Sequence, residues 1–146
     1  KVSQKDLVVD AYCGAGLFSA FLAPKVKELV GIELAESSCN DFAANLNEFD
    51  NVSLYVGAVE EVLPALKLKP QAVVLDPPRA GLEGAALAAL IEANPRQTAY
   101  VSCDPSTLAR DLRKLIDAGY MLESVTPFDL FPQTYHVETI SLLSKN

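Results

Sequence analysis

The sequence is poor in cysteine and histidine and contains no long apolar run. Its three cysteines, Cys13, Cys39 and Cys103, form no Cys-x-x-Cys pair, so neither a disulfide framework nor a zinc knuckle is predicted. The one histidine, His136, is more typical of a structural role than of a catalytic one. No stretch approaches the roughly 20 apolar residues that a membrane-spanning helix needs. We therefore predict a cytoplasmic, metal-free protein with reduced thiols.

Positive charge is also scarce. Twelve Lys and Arg residues stand against 19 Asp and Glu residues, which gives a formal net charge of −7 over 146 residues. Nonspecific nucleic-acid binding depends on Lys and Arg residues that neutralise phosphates, so this balance argues against a chain that binds nucleic acid by charge alone. Because like-charge blocks and low-complexity tracts are missing, disorder is not expected, and we predict one folded domain over residues 1–146.

Short apolar runs alternate with helical patterns along the whole chain. The predicted strands of five βα units are Leu7–Tyr12, Glu28–Glu33, Val52–Gly57, Ala72–Asp76 and Thr98–Ser102. After Gly119 come two β-rich segments, Met121–Phe131 and His136–Leu143, whose short connection predicts an antiparallel pair. The pattern therefore predicts an α/β fold with a doubly wound, mostly parallel seven-stranded sheet that ends in an antiparallel hairpin.

Two of the predicted helices have an apolar face that indicates which side packs on the sheet. The helix over Ala35–Asn47 and the helix that begins at Asp104 and stops at Gly119 both show apolar residues at helical spacing. The residues predicted to be buried are Cys39, Phe42, Ala43 and Leu46 in the first, and Leu108, Leu112, Leu115 and Ile116 in the second.

The loop Asp10-Ala-Tyr-Cys-Gly-Ala-Gly16 is a candidate cofactor site. Doubly wound sheets bind ligands at the carboxyl ends of their strands, and Gly14 and Gly16 allow the backbone to approach a ligand closely. Ser19 stands where a dinucleotide fingerprint has its third glycine, which disfavours a nicotinamide dehydrogenase. Glu33 ends the second strand, where a carboxylate can accept hydrogen bonds from both ribose hydroxyls. S-adenosylmethionine is the leading cofactor, and a plain strand-to-helix turn is the alternative.

A rigid acidic loop, Asp76-Pro-Pro-Arg79, follows the fourth predicted strand. The two prolines fix the direction in which the Asp76 carboxylate points. Such a carboxylate can accept a hydrogen bond from an imide or amino group of a base, or can orient the methionyl end of the cofactor. Arg79 stands where amino-group methyltransferases carry an aromatic residue, which indicates another chemistry. The alternative is a rigid turn with an incidental acid.

Cys103 is a candidate nucleophile because it lies immediately before the helix start at Asp104. The positive end of the helix dipole favours a thiolate, and Arg110 is expected to add to this effect. The alternative is a small apolar residue that fills a strand end. The aromatic side chains of segment 128–138 are expected to line a pocket for a flipped base, with Glu138 placed for proton transfer.

Together these segments resemble the catalytic domain of the bacterial RNA uracil-5-methyltransferases, which form 5-methyluridine in tRNA and in 23S ribosomal RNA. The matching segments are Asp10–Gly16, Gly31–Glu33, Leu75–Leu82, Tyr100–Asp111 and Phe131–Glu138. They span almost the whole chain. The motif Ser-Cys-Asp-Pro followed by Leu-Ala-Arg-Asp is closer to the ribosomal RNA branch of the family than to the tRNA branch.

The resemblance implies a Rossmann-like class I methyltransferase that uses S-adenosylmethionine. It implies that Cys103 attacks C6 of uracil to form a covalent adduct, and that Glu138 removes the C5 proton. The residues that it implies near the cofactor are Tyr12, Gly14, Gly16, Glu33 and Asp76, the last of which could contact the base instead. The alternatives are a tRNA uridine-5-methyltransferase, an RNA cytosine-5-methyltransferase, and a non-catalytic module that binds the cofactor or RNA.

The chain departs from the family pattern in several places. Leu17 follows the glycine loop where a polar residue is common, and Gly57-Ala58 lacks the acid that often binds adenine, with Glu60 as the nearest substitute. The glutamine and the RNA-binding β-barrel that the family carries before the first strand are missing. We therefore expect a monomeric C-terminal fragment that is weak or inactive alone. Most RNA contacts would belong to the missing part, while a small basic patch comprises Arg79, Arg110, Arg113 and Lys114.

Overall fold

The computed structural model describes residues 1–130, 132–134 and 137–145, which form one seven-stranded sheet with helices on both faces. The strands are β1 (Leu7–Ala11), β2 (Glu28–Glu33), β3 (Val52–Val56), β4 (Ala72–Leu75), β5 (Gln97–Ser102), β6 (Met121–Phe128) and β7 (Glu138–Ser144). The helices are α1 (Leu17–Leu22), α2 (Glu36–Asn45), α3 (Val59–Leu66), α4 (Gly84–Ala93) and α5 (Pro105–Asp117). In the described part of the chain, no helix combines the length and apolar character needed to cross a membrane.

The strand order is β3-β2-β1-β4-β5-β7-β6, which confirms the predicted doubly wound sheet. The first five strands pair in parallel, while β7 runs antiparallel to both β5 and β6. The carboxyl ends of β1, β4 and β5 therefore lie side by side. Because β7 is reversed, its first residues meet the same edge, and Thr139 pairs with Ser102. Residues far apart in sequence thus converge where the strand order changes direction.

The sheet separates two apolar cores. Val8 and Val9 are both fully buried, but they belong to different cores because successive strand side chains point to opposite faces. The larger core lies between the sheet and α3, α4 and α5, and the smaller core contains Phe42 of α2 beside Leu29 of β2. Burial on both faces explains why the central strands are almost continuously apolar.

The structure confirms the predicted strands and helices, but some residues at the edges of the helix faces differ from the prediction in their burial. Ala43 of α2 is exposed and Ile116 of α5 is 42% exposed, although both were expected to face the core. Helical spacing locates the centre of an apolar face, whereas burial at its edge depends on whether a neighbouring element covers it. Of the predicted hairpin, β6 ends at Phe128 and β7 begins at Glu138, while Phe131, Tyr135 and His136 lie outside the described residues.

A buried carboxylate joins β1 to α1. Asp10 is fully buried, and its Oδ2 accepts a hydrogen bond of 2.6 Å from the Ser19 hydroxyl. Its Oδ1 has no hydrogen-bond partner within the described residues. Burial raises the pKa of Asp10 to about 6 against the lowering effect of Ser19, and the charge of Asp76 adds to the rise. Ser19 therefore has a structural task, since it satisfies one oxygen of the buried acid.

We expect Asp10→Asn to gain stability relative to the natural protein as the pH rises from about 4 to 7. The folded-state pKa of about 6 lies above the ordinary aspartate value of 3.8, so the natural protein loses about 3 kcal/mol across this window and the amide does not. Urea unfolding at several pH values measures the difference. Asp41→Asn, which changes an exposed acid, serves as the control. Parallel stability curves for the natural protein and Asp10→Asn would contradict this account.

Candidate active site

Two adjoining clefts open at the edge where the parallel strands end. The first has a volume of about 520 Å³ and lies between the ends of β2 and β3 and the loop after β4. The second has a volume of about 590 Å³ and lies between the glycine loop, the end of β5 and the start of β7. Tyr12 lines both clefts. This is the switch point between β1 and β4, where doubly wound sheets bind their ligands.

The glycine loop brings the backbone to the wall of the second cleft. Gly14 and Gly16 both have left-handed backbone conformations, with φ of +54° and +90°. A Cβ at Gly16 would lie 2.7 Å from Leu46 Cδ1 and 2.9 Å from Phe42 Cδ2, so this glycine is required by packing as well as by conformation. Gly14 faces open space, with no atom within 4 Å of a Cβ position. A ligand can therefore approach the backbone at Gly14.

Glu33 lies in the first cleft and is held rigidly by the backbone around it. Its carboxylate accepts hydrogen bonds from the amides of Gly14 (2.9 Å), Leu34 (2.9 Å) and Ala35 (2.7 Å). A carboxylate has about four acceptor positions, so capacity for a ligand hydroxyl remains. Glu60, in the first turn of α3, lines the same cleft beside the apolar side chains of Ile32 and Val59. The cleft thus combines an apolar interior with fixed acceptors.

Tyr12 has an unusual backbone for its residue type. Its φ of +64° lies in the left-handed region, which costs a non-glycine residue on the order of 1 kcal/mol and is typical of functional sites. Partial burial raises the pKa of Tyr12 to about 12, and the negative charges of Glu60, Glu83 and Asp111 add to the rise. The phenol consequently stays protonated at neutral pH, so it can donate a hydrogen bond at the junction of the two clefts.

The second cleft brings together Cys103, Asp76 and Glu138. Cys103 reaches it from the end of β5, Asp76 from the end of β4 and Glu138 from the start of β7. Partial desolvation raises the pKa of Asp76, and the charge of Glu138 raises it further, which shows that the two carboxyl groups are electrostatic neighbours. The apolar walls of the cleft, which suit a planar ring, are Phe18, Val101, Phe128, Leu130 and Ile140.

Cys103 is the accessible thiol of the three. Cys13 and Cys39 are each 6% exposed, and burial raises the pKa of both thiols, whereas Cys103 is half-buried and faces the cleft. Asp104 caps the N-terminus of the helix that follows, because its carboxylate accepts hydrogen bonds from the amides of Ser106 (2.8 Å) and Thr107 (3.0 Å). Cys103 thus combines access to the cleft with a position at a capped helix N-terminus.

Two expectations about arginines differ from the structure. The Arg110 guanidinium donates to Asp111 Oδ1 and to the Ala80 carbonyl, each at 2.8 Å, so an acid offsets its charge and these hydrogen bonds run to α5 and the loop after β4. Arg113 forms an ion pair of 3.1 Å with Asp117. The predicted basic patch is therefore weaker than the sequence indicates, because acids on the same helix offset two of its charges.

Some parts of this site have no direct signal in the sequence. Phe18 lies only two residues after the glycine loop, so its place in the cleft could have been inferred from that proximity. The left-handed conformation of Tyr12 and the contacts of Asp111 depend on tertiary packing, so residue patterns do not reveal them. Across the described residues, no three or more His, Cys, Asp or Glu side chains are grouped as a metal site would require.

Comparison with known proteins places this geometry in a family. The family profile described as tRNA (Uracil-5-)-methyltransferase matches residues 1–146. An uncharacterized RNA methyltransferase of Enterococcus faecalis is 45% identical over 149 aligned positions, which cover 99% of this chain and 33% of that protein. A second, from Oceanobacillus iheyensis, is 45% identical and is matched over 98% of this chain and 32% of its own length. The chain therefore spans about a third of the length of these relatives.

A solved structure agrees with the sequence comparison. The Pyrococcus abyssi tRNA (uracil-54, C5)-methyltransferase, in complex with S-adenosyl-L-homocysteine, superposes with a TM-score of 0.84 at 30% identity. The match covers 97% of this chain and 35% of that protein. Since the family profile extends over the whole chain and the fold is shared, the assignment rests on both sequence and structure. The chain belongs to the tRNA (uracil-5-)-methyltransferase family.

Proposed function

We propose that this chain is the catalytic part of an enzyme that transfers the methyl group of S-adenosylmethionine to C5 of a uridine in RNA. The observation that carries the proposal is the presence of an accessible cysteine, Cys103, and a carboxylate, Glu138, in one apolar cleft beside the glycine loop. Because the chain spans about a third of its relatives, we further propose that the complete protein contains other segments that hold most of the RNA.

The first cleft suits S-adenosylmethionine. Glu33 retains capacity to accept from ribose hydroxyls, and the apolar side chains of Ile32 and Val59 suit an adenine ring. Glu60 is the nearest acid for the adenine amino group, and the open backbone at Gly14 would accommodate the methionyl part beside Tyr12. When bound, the cofactor supplies an electrophilic methyl group on a sulfonium.

The second cleft provides both groups that substitution at C5 of uracil requires. C5 is a weak nucleophile until the Cys103 thiolate forms a bond to C6, which moves the double-bond electrons towards C5 and O4. C5 could then form its bond to the methyl carbon while the methyl–sulfur bond of the sulfonium breaks, its electron pair staying on sulfur so that neutral S-adenosylhomocysteine is released. Glu138 takes the C5 proton, the electrons of that C–H bond restore the C5–C6 double bond, and Cys103 leaves as a thiolate. The net result replaces one proton by one methyl group.

Asp76 is the residue that we propose to orient the base. Its backbone continues the pairing of β4 with β1 through a hydrogen bond of 3.3 Å from its amide to the Ala11 carbonyl, and Pro77 and Pro78 stiffen the chain immediately afterwards. We propose that its carboxyl group hydrogen-bonds to the imide edge of uracil. Partial desolvation raises the pKa of Asp76, and the charge of Glu138 raises it further. Because both acids line the second cleft, a base bound there by one would lie within reach of the other.

We expect Cys103→Ala to lower RNA methylation by the full-length protein by about 1,000-fold or more, because removal of a nucleophile removes the covalent route. The measurement is transfer of a labelled methyl group to unmodified RNA. The matched control is Cys39→Ala, which changes a buried thiol on α2 and should leave the rate largely unchanged. Full activity of Cys103→Ala would contradict the proposed role.

The RNA class has two candidates. The motifs Ser-Cys-Asp-Pro and Leu-Ala-Arg-Asp around Cys103 favour ribosomal RNA as the substrate, whereas the similar Pyrococcus abyssi enzyme is a tRNA methyltransferase. We propose ribosomal RNA, with tRNA as the second candidate.

Mass mapping of 5-methyluridine in both RNA classes, from cells with and without the gene, separates these candidates. We expect the loss of one 5-methyluridine in 23S ribosomal RNA and an unchanged tRNA pattern. A loss confined to tRNA would establish the second candidate, and an unchanged pattern in both RNA classes would contradict the proposed activity.

A further inference from the structure

A buried acid on α5 holds the loop that forms one wall of the first cleft. Asp111 is fully buried within a helix face that is otherwise apolar, between Leu108 and Leu115. A buried carboxylate is costly unless several donors satisfy it. Asp111 receives hydrogen bonds from the Leu82 amide (2.7 Å), the Tyr100 hydroxyl (2.8 Å) and Arg110 Nε (2.8 Å). One of these donors, Leu82, lies in the chain between Gly81 and Glu83, which both line the cleft.

Arg110 extends this connection along the loop. Its Nη2 donates to the carbonyls of Ala80 (2.8 Å) and Leu82 (3.4 Å), while its Nε binds Asp111. The Thr107 hydroxyl adds a hydrogen bond of 3.0 Å to the Arg79 carbonyl. Helix α5 thus fixes the backbone on both sides of Gly81. A planar guanidinium suits this task because its donors have a fixed geometry.

The loop conformation leaves no room for a side chain at its centre. Gly81 has φ of +74°, and a Cβ there would overlap Asp111 Oδ2 and lie 2.7 Å from Arg110 Nη2. Close approach of the loop to α5 is therefore possible only with glycine at this position. Burial raises the pKa of Tyr100, and its hydrogen bond to Asp111 raises it further, so the hydroxyl remains a donor in this network.

The network connects the two clefts. Pro78, Ala80 and Gly81 line the first cleft, and the helix that grips them begins immediately after Cys103, which lines the second. We propose that Arg110 and Asp111 are positioning residues that set the cofactor-binding shape of the 78–82 loop, an inference that rests on the proposed use of S-adenosylmethionine. Neither residue is among those that line the two clefts, and they act through the loop backbone.

Arg110→Met tests this role, because it removes the guanidinium from a side chain that is 46% exposed and keeps its aliphatic stem. In the full-length protein we expect the dissociation constant for S-adenosylhomocysteine, measured by calorimetry, to rise about tenfold, which corresponds to about 1.4 kcal/mol. We expect the KM for S-adenosylmethionine to rise similarly and kcat to change less. Arg110→Lys, which keeps the charge without the planar fork, should give an intermediate loss.

Arg113→Met is the matched control, since Arg113 also pairs with an acid on α5 but lies on its exposed side. It should leave the dissociation constant for S-adenosylhomocysteine, measured without RNA, unchanged. Amide hydrogen exchange provides a readout that general destabilisation would not reproduce. In Arg110→Met, the Leu82 amide should exchange faster while the amides of β1 and β2 keep their protection.

Two results would overturn the proposal. One is unchanged cofactor affinity in Arg110→Met, and the other is a uniform rise in exchange across the domain. If the natural protein fails to bind S-adenosylhomocysteine, both the cofactor assignment and the positioning role are rejected. If the natural protein binds it and Arg110→Met binds it equally well, only the positioning role is rejected.

Discussion

The antiparallel direction of β7 is the constraint on which the active site depends. Parallel strands bring only their carboxyl ends to the ligand-binding edge, so β1, β4 and β5 supply Tyr12, Asp76 and Cys103. A seventh parallel strand would place its first residue at the opposite edge of the sheet. Because β7 is reversed and Thr139 pairs with Ser102, Glu138, the first residue of β7, lies beside the end of β5 that Cys103 follows. The proposed nucleophile and base are therefore held by adjacent strands of one sheet.

The loops that line the two clefts are held in place by side chains from helices on both sides of the sheet. On one side of the sheet, Phe42 and Leu46 pack against Gly16 and shape the glycine loop. On the other side, α5 starts after Cys103 and grips the 78–82 loop through Asp111. Hydrogen bonds to a buried charge are stronger and more directional than apolar contacts, so they suit a loop whose backbone must hold one position. Methyl transfer requires both substrates to be aligned, and these supports would provide that alignment.

Much of the fold followed from residue patterns, because apolar runs and helix boundaries are local signals. Pro105 after Asp104 marks a helix start, and the change after Gly119 from alternating strands and helices to two consecutive β-rich segments marks the hairpin. The site residues were found through motifs, and the structure gathers them at the clefts, although their roles stay predictions. The hydrogen bonds of Arg110 were not predicted, because a sequence does not show which carbonyls a long side chain reaches. Ala43 and Ile116 were misplaced because burial at a helix margin depends on tertiary neighbours.

The most direct test of the account is the fate of RNA on full-length Glu138→Gln. An amide cannot accept the C5 proton, so the methylated base should stay bonded to the protein and accumulate as a covalent adduct. Mass spectrometry of the digested adduct should locate RNA carrying one added methyl group on the peptide that contains Cys103. Glu123→Gln, at the far end of the same hairpin, should turn over without an adduct. Normal turnover by Glu138→Gln, or an adduct on Cys13 or Cys39, would contradict the account.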